Sequence, residues 1–366
     1  MIVSDHLIRI IYLGKKGGGL SLLEDFLTTL DFRDRACELW LSSTLNSENL
    51  IFNGNQKVFQ LFSPRNFREL VNPRLLFGGV VNLFKIIFSK NAKLSIFLMP
   101  SPFDWIYYRL LRAKKQKIIT CIHDLKSHPG ERWPTVNSTL FRLKKSDFVV
   151  TFSTHIATEL HSKTLNKIFV AELPRKLQLN GSMENDVKSL ILAMESSELP
   201  KVLLIGRQRK YKDTASFLKL SHDFKESALF VIAGEGLIQQ EDESKTFVIN
   251  RWLSNIEFME IIARADIVFF PYSEASQSGN IPLAIAEKKI IVTTSQPGLV
   301  EQLSSYPSKV IYDGEKSEAI SLAFSDALAM HVLSGTDDVG TQSDHSVPLS
   351  AVINALEFEL NTKEAR

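Results

Sequence analysis

Short apolar runs alternate with longer amphipathic segments along this chain, and the whole alternation occurs twice with one break between. In the first half, strand-like runs fall at Leu7–Leu13, Cys37–Leu41, Lys57–Phe62, Leu94–Met99, Lys117–Ile122, Asp147–Phe152 and Ile168–Ala171. Helical patterns fill the gaps at Leu20–Leu30, Pro73–Phe88, Phe103–Arg112, Thr135–Leu143 and Thr154–His161. Strand, helix, strand at this spacing reads as a parallel sheet covered on both faces. The stretch from Pro174 to Pro200 breaks the rhythm with a polar, turn-prone run followed by a short helix. The second half then restarts it, with strands at Val202–Gly206, Ala228–Ala233, Thr246–Ile249, Ile267–Phe270, Ile290–Thr293 and Lys309–Tyr312. Its helices read at Thr214–Phe224, Ser254–Ala263, Ile281–Glu287, Leu299–Leu303 and Ser317–Leu333, with a last one at Leu349–Leu360.

The 366 residues suit two domains better than one core. The pattern predicts an N-terminal Rossmann-like domain over 1–174, a linker over 175–199, a second such domain over 200–335, and a flexible loop with a C-terminal helix over 336–366. Two doubly wound parallel sheets that face a cleft would bind their ligand there. Cys37 and Cys121, the two cysteines, each lie inside an apolar run, which gives neither a disulfide framework nor metal-ligand spacing. The N-terminus has Asp5 and His6 ahead of its apolar run and Lys15 and Lys16 after it, the reverse of a secretory signal. A cytoplasmic protein is expected.

Three constellations carry chemistry. The first strand runs into Gly17-Gly18-Gly19 and a helix, an arrangement that lets backbone approach a phosphate, although the spacing is that of neither a dinucleotide fingerprint nor a Walker loop. The strand Val202–Gly206 ends in Arg207, Arg209, Lys210 and Lys212. Cations at the carboxyl end of a parallel strand point into the crevice where a diphosphate would sit. The strand Ile267–Phe270 leads into a loop of small residues, Ser276, Ser278 and Gly279, and then a helix with Pro282 in its first turn. Small residues there would let an anion reach free backbone N–H groups.

Taken together, these residues resemble the donor-binding domain of GT4-type glycosyltransferases, which have the GT-B fold of two facing Rossmann-like domains. The similar run is Gly206-Arg207 with Tyr211-Lys212-Asp213, then LFVIAGEG ending at Gly236, ADIVFFPY, the Ser-Gln-Ser-Gly loop, and PLAIAEKKIIVTT with Pro297-Gly298-Leu299-Val300-Glu301. In the first half, KKGGGL and IITCIHDLKSHPG are similar to the family's glycine loop and its acceptor-domain strand ending in His-Asp. The resemblance implies a donor site made by Arg207, Lys212, Gly234, Asn250, Arg251, Ser278, Gly279 and Asn280, with Gly17, Gly18 and Gly19 across the cleft. His123 and Glu274 would be the catalytic residues. It implies transfer with retention from a nucleotide-sugar donor to a glycan or lipid-linked acceptor in cell-surface polysaccharide synthesis, without a cofactor and without a metal. One departure is visible: many GT4 enzymes place a second glutamate where this chain has Leu283. A nucleotide-sugar 2-epimerase of the same fold, or a degenerate partner subunit, are the alternatives.

The net charge of +2 hides an asymmetry. Between Pro64 and Lys145 there are 16 Lys and Arg against 4 Asp and Glu, a net +12. The segments NPRLLFGGVVNLFKIIFSKNAK and FDWIYYRLLRAKKQK combine apolar or aromatic residues with cations, so an anionic membrane surface is a possible partner of 64–145. No nucleic-acid module is recognisable, and no nucleic-acid partner is expected.

Overall fold

The computed structural model describes residues 7–14, 18–30, 36–43, 45, 56–61, 73–127, 134–236, 246–314, 317–334 and 347–364. Gly17 and most of the expected loop before the last helix lie outside them. The described residues of Met1–Ser127, Arg132–Leu173 and Ser346–Arg366 form one compact unit, and those of Pro174–His345 a second.

The first unit is a seven-stranded sheet in the order β3-β2-β1-β4-β5-β6-β7, with every neighbouring pair parallel. Its strands are β1 (Leu7–Tyr12), β2 (Ala36–Ser42), β3 (Gln56–Leu61), β4 (Leu94–Phe97), β5 (Lys117–Ile122), β6 (Phe148–Thr151) and β7 (Lys167–Val170). The helices are α1 (Gly18–Thr29), α2 (Pro73–Phe88), α3 (Asp104–Ala113), α4 (Val136–Lys145) and α5 (Thr154–His161). Side chains of one strand serve both faces: Ile8, Ile10 and Tyr12 join the core under α1, while Ile11 and Leu13 join the one under α3. A strand buried on both sides must be apolar throughout, which is why these runs were legible. Arg9 is the exception, fully buried but bonded to Glu38 (2.8 Å), Gln116 (2.8 Å) and the Lys90 carbonyl (2.8 Å). A buried guanidinium needs partners of this kind to offset its lost hydration.

The second unit is a six-stranded parallel sheet in the order β10-β9-β8-β11-β12-β13. Its strands are β8 (Lys201–Ile205), β9 (Leu229–Ala233), β10 (Phe247–Ile249), β11 (Ile267–Phe270), β12 (Ile290–Thr294) and β13 (Lys309–Tyr312). They are covered by α6 (Asn185–Ser196), α7 (Thr214–Asp223), α8 (Asn255–Arg264), α9 (Ile281–Ala286), α10 (Pro297–Gln302) and α11 (Ser317–Ser334). Ser254 starts α8 with a capping box: its hydroxyl accepts from Glu257 N–H while Glu257 accepts from Ser254 N–H.

Two expected boundaries differ. The stretch 175–199 belongs to the second unit, because Val187, Leu190, Ile191 and Met194 of α6 pack into the core beside α8 and β8. The last helix, α12 (Leu349–Glu364), expected with its loop as a segment of its own, belongs to the first unit. Leu349, Val352, Ile353, Leu356 and Leu360 enter the α1 core, and Lys167 pairs with Glu359 at 2.6 Å. Among the described residues no helix is long and apolar enough to cross a membrane.

Candidate functional site

In the second unit the strand order reverses between β8 and β11, the switch point at which open α/β sheets form their ligand crevice. Strand β8 is followed by Gly206, whose φ of +100° suits glycine. A Cβ there would stand 2.5 Å from Asn280 Nδ2 and 3.2 Å from Lys212 Nζ. The Asn280 side chain is fixed by donating to the Ile205 carbonyl at 3.0 Å. After Gly206 the chain makes a 3-10 turn at Lys210–Lys212, and Asp213 then caps α7 by accepting from Ser216 N–H at 3.2 Å. This turn drives Lys212 inward until only 6% of it is exposed.

The Lys212 ammonium lies 4.9 Å from the centroid of the Tyr272 ring, and Tyr211 packs edge-on against the same ring at 5.6 Å. Among the described residues no carboxylate or carbonyl accepts from Lys212 Nζ. Burial lowers its pKa; Tyr211 opposes that shift and Arg209 adds to it. A buried cation without a counter-charge is costly, and an anion arriving at this point would relieve the cost.

The loop after β11 forms the other wall. Ser273 N–H donates to the Tyr211 carbonyl at 2.8 Å, which ties this loop to the lysine turn. Gln302 of α10 accepts from Ser278 N–H (2.8 Å) and donates to the Ser278 carbonyl (3.0 Å). Asn280 N–H donates to Ser278 Oγ at 3.3 Å. Of the three loop amides expected to face an anion, two are therefore committed within the protein; the Gly279 amide has no such partner among the described residues. A Cβ on Gly279 would meet nothing within 4 Å, so open space stands in front of it.

Gly298 supports the loop from behind, since a Cβ there would fall 1.9 Å from the Ser276 carbonyl oxygen. Gly298→Ala should displace residues 276–280, cost about 1–3 kcal/mol of stability by overpacking, and weaken anion binding as well. Urea unfolding and titration with a nucleoside diphosphate measure the two effects; a variant unchanged in both would leave the loop without this support.

The remaining predicted donor residues divide. Arg207 is exposed at the rim, 3.3 Å from Glu235 and 6.0 Å from the Trp252 ring centroid. Gly234, with φ of +137°, packs on Gly206, where a Cβ would stand 2.3 Å from the Gly206 carbonyl oxygen. Asn250 Oδ1 accepts from Gly236 N–H at 3.1 Å and so fixes the turn after β9. Arg251 turns elsewhere: it donates to Asp186 (2.6 Å) and Glu257 (2.7 Å) and joins α6 to α8. Against the cost of burial, hydrogen bonds from Arg251 and from the Glu184 and Ser254 amides hold Glu257 down at about 2. Arg251 is thus a structural bracket rather than a free cation. Glu274 sits on the β11 loop next to Ser273, half-buried. Leu283 is 2% exposed in the core, so it offers the crevice nothing.

In the first unit, Gly18 opens α1 and Gly19 follows, where a Cβ would stand 2.7 Å from Met99 Sδ. His123 follows β5. Its Nε2–H donates to the Leu98 carbonyl beyond β4 at 3.1 Å, and its ring stacks on Phe152 at 4.7 Å. Burial lowers its pKa, countered by Asp124 and the Leu98 bond, so the ring is held neutral with Nδ1 as its acceptor nitrogen. A buried Arg142–Asp104 pair (3.2 Å) braces the same strand ends: Arg142 donates to the Cys121 carbonyl and Asp104 accepts from Ser101 N–H, both at 2.9 Å. Sequence reasoning missed Tyr272, Gln302 and this pair. Among the described residues no three His, Cys, Asp or Glu side chains gather into a metal-binding group.

A seven- and a six-stranded doubly wound parallel sheet in one chain define the GT-B fold. Among solved structures, the chain is similar to a glycosyltransferase from Rickettsia africae, with a TM-score of 0.65 and 15% identity over 97% of this chain and 98% of that one. It is also similar to sucrose-phosphate synthase from Thermosynechococcus elongatus (0.65, 13%, 90% and 91%) and to Anabaena HepE in complex with UDP and glucose (0.63, 13%, 97% and 99%). At these identities the likeness establishes the fold. No protein-family model matches the chain, and no curated protein sequence does.

Proposed function

We propose that this protein is a GT4-like glycosyltransferase. In this reading it moves a sugar, with retention, from a nucleotide-sugar donor to a glycan or lipid-linked acceptor in the cytoplasm, for cell-surface polysaccharide. The observation that carries the reading is the buried Lys212 ammonium, lacking a counter-charge among the described residues, at the switch point of the second sheet. A diphosphate leaving group gains negative charge as the glycosidic bond to it breaks. Lys212 and the Gly279 amide are preset to receive that charge, which makes their stabilisation greatest in the transition state. Arg207 adds a rim contact after letting go of Glu235. His123, neutral and fixed, orients the sugar. HepE, of the same fold, was solved with UDP and with UDP-glucose, which makes a uracil base the first to try. No residue of the site needs a metal to hold the diphosphate, since its cations are protein side chains.

Thermal unfolding with UDP, GDP, ADP and their sugars tests this directly. A ligand that binds only the folded state adds about 2.7 kcal/mol at one hundred times its Kd. One nucleoside diphosphate should raise the unfolding temperature, and its sugar should be consumed when an acceptor is present. Absence of any shift with all three bases would refute the reading. Interconversion of the sugar nucleotide without acceptor would assign an epimerase, and binding without any turnover a partner subunit, the outcome that Leu283 at position 283 would favour.

A further inference from the structure

Helix α2 is anchored by one face and apolar on the opposite one as well. Ile86 is fully buried in the core under α3. Phe77, Val80, Phe84, Ile87 and Phe88 all face outward, Phe77 with 71% and Phe88 with 79% of its surface exposed. Their spacing of three, four, three and one residues places them on one stripe of a helix, half a turn away from Ile86. The Phe84 and Phe88 rings stack at 6.1 Å. The stripe is held firmly: Lys114, at the end of α3, donates to the carbonyls of Ile86 (3.2 Å), Ile87 (3.0 Å) and Ser89 (2.6 Å). A helix facing only water would carry polar residues here, so this face is built for a partner.

The charge around the stripe says which partner. Residues 73–117 hold nine Lys and Arg against one acid, Asp104, and that acid is buried beside Arg142. Arg112 and Lys117 pair with Asp147, whereas Lys85, Lys90, Arg109 and Lys115 are exposed cations. Trp105 is half-exposed on α3 with Arg109 over its ring at 5.5 Å, the aromatic-plus-cation pair that suits a headgroup boundary. A second copy of this face would set like charge against like charge. An anionic bilayer satisfies both the apolar stripe and its basic border. At roughly 1.5 Å per residue, α2 spans about 24 Å, too short to cross a hydrocarbon core of about 30 Å, so it would lie in the plane of the surface. We propose that the exposed stripe of α2, bordered by these cations, docks this protein onto an anionic membrane surface.

Co-sedimentation of the full chain with phosphatidylcholine vesicles, with and without phosphatidylglycerol, tests the proposal. Binding should be at least about tenfold stronger to the mixed vesicles and should fall as salt rises, because the electrostatic part is screened. Trp105 emission should shift to the blue on binding. The double variant Phe84→Ser/Phe88→Ser should lose about tenfold or more of the binding, with little change in unfolding temperature because both rings are more than half exposed. Lys85→Glu/Lys90→Glu should remove the salt-sensitive part. Three results would overturn the proposal: equal recovery with both vesicles, a serine variant that binds like the parent, or a concentration-dependent dimer that the serine variant abolishes. The assay contains no sugar donor, so its outcome is independent of the transferase reading.

Discussion

Lys212→Met should abolish most nucleoside-diphosphate affinity while leaving the fold as stable as before or more so. The expected loss is about 1.5–3 kcal/mol, a ten- to hundredfold weaker Kd, the range for a hydrogen bond to a charged group. Stability should not suffer, because methionine matches the length of the side chain and removes a buried charge that lacks a counter-ion. The pH dependence sharpens the test. In the folded chain Lys212 has a lowered pKa; in the unfolded chain it titrates near 10.4. Between these two values the unfolded state holds a proton that the folded state has released, so the stability of the free protein rises with pH across that window. Diphosphate affinity should fall across the same window, since the ammonium is the binding form. The methionine variant should lack this lysine's share of both slopes. Calorimetric titration and thermal unfolding at several pH values measure them. A methionine variant that binds the diphosphate like the parent would remove Lys212 from the site.

His123→Ala should lower kcat about 100-fold and leave nucleoside-diphosphate affinity within about twofold, the pattern of lost positioning rather than lost anchoring. The reasoning is geometric. The ring is pinned by the Leu98 carbonyl on one edge and stacked on Phe152, so its Nδ1 has one orientation. The proposed diphosphate contacts, Lys212 and the Gly279 amide, belong to the other unit and make no use of this ring. Loss of the Leu98 bond should cost about 1 kcal/mol of stability, which thermal unfolding reads separately from turnover. Burial disfavours the imidazolium, so below about 6.5 the unfolded chain takes up the proton first and acid weakens the fold; that slope should shrink in the alanine variant. A variant with full kcat would make His123 a strand-end packing residue only.

Much of this was readable from residues alone, for definite reasons. Parallel strands covered on both faces are continuous apolar runs, so β1, β5, β8 and β11 stand out. The α6 helix was legible as a short helix, but not its place in the second core. Its Val187, Leu190, Ile191 and Met194 have helical spacing, but the polar, turn-prone run before them made the region look like a linker. Two of the four cations that follow β8 look alike in sequence, yet Lys212 is buried and Arg207 lies exposed beside Glu235. Which way a side chain points from a short turn is decided by packing against Tyr272, far along the chain. The tie of Arg251 to α6 was illegible for the same kind of reason, since its partner Asp186 lies 65 residues away. The Ser-Gln-Ser-Gly loop signalled backbone donors, but only Gln302, 24 residues beyond Ser278, reveals that one of them is taken.

The return of α12 to the first unit has a consequence for how the protein is made. Among the described residues, those of the second unit all fall between 174 and 345, whereas those of the first lie on both sides of them, so the first receives α12 only after the second has left the ribosome. Until then Ile8, Leu23 and Phe26 lack the cover that Val352, Ile353 and Leu356 supply. The later-encoded unit can therefore reach its native state first, and the earlier one waits with an open seam. Chaperone capture and premature proteolysis would be directed at the N-terminal half, and a ribosome stalled short of residue 349 would release a chain whose apparently complete first domain cannot close.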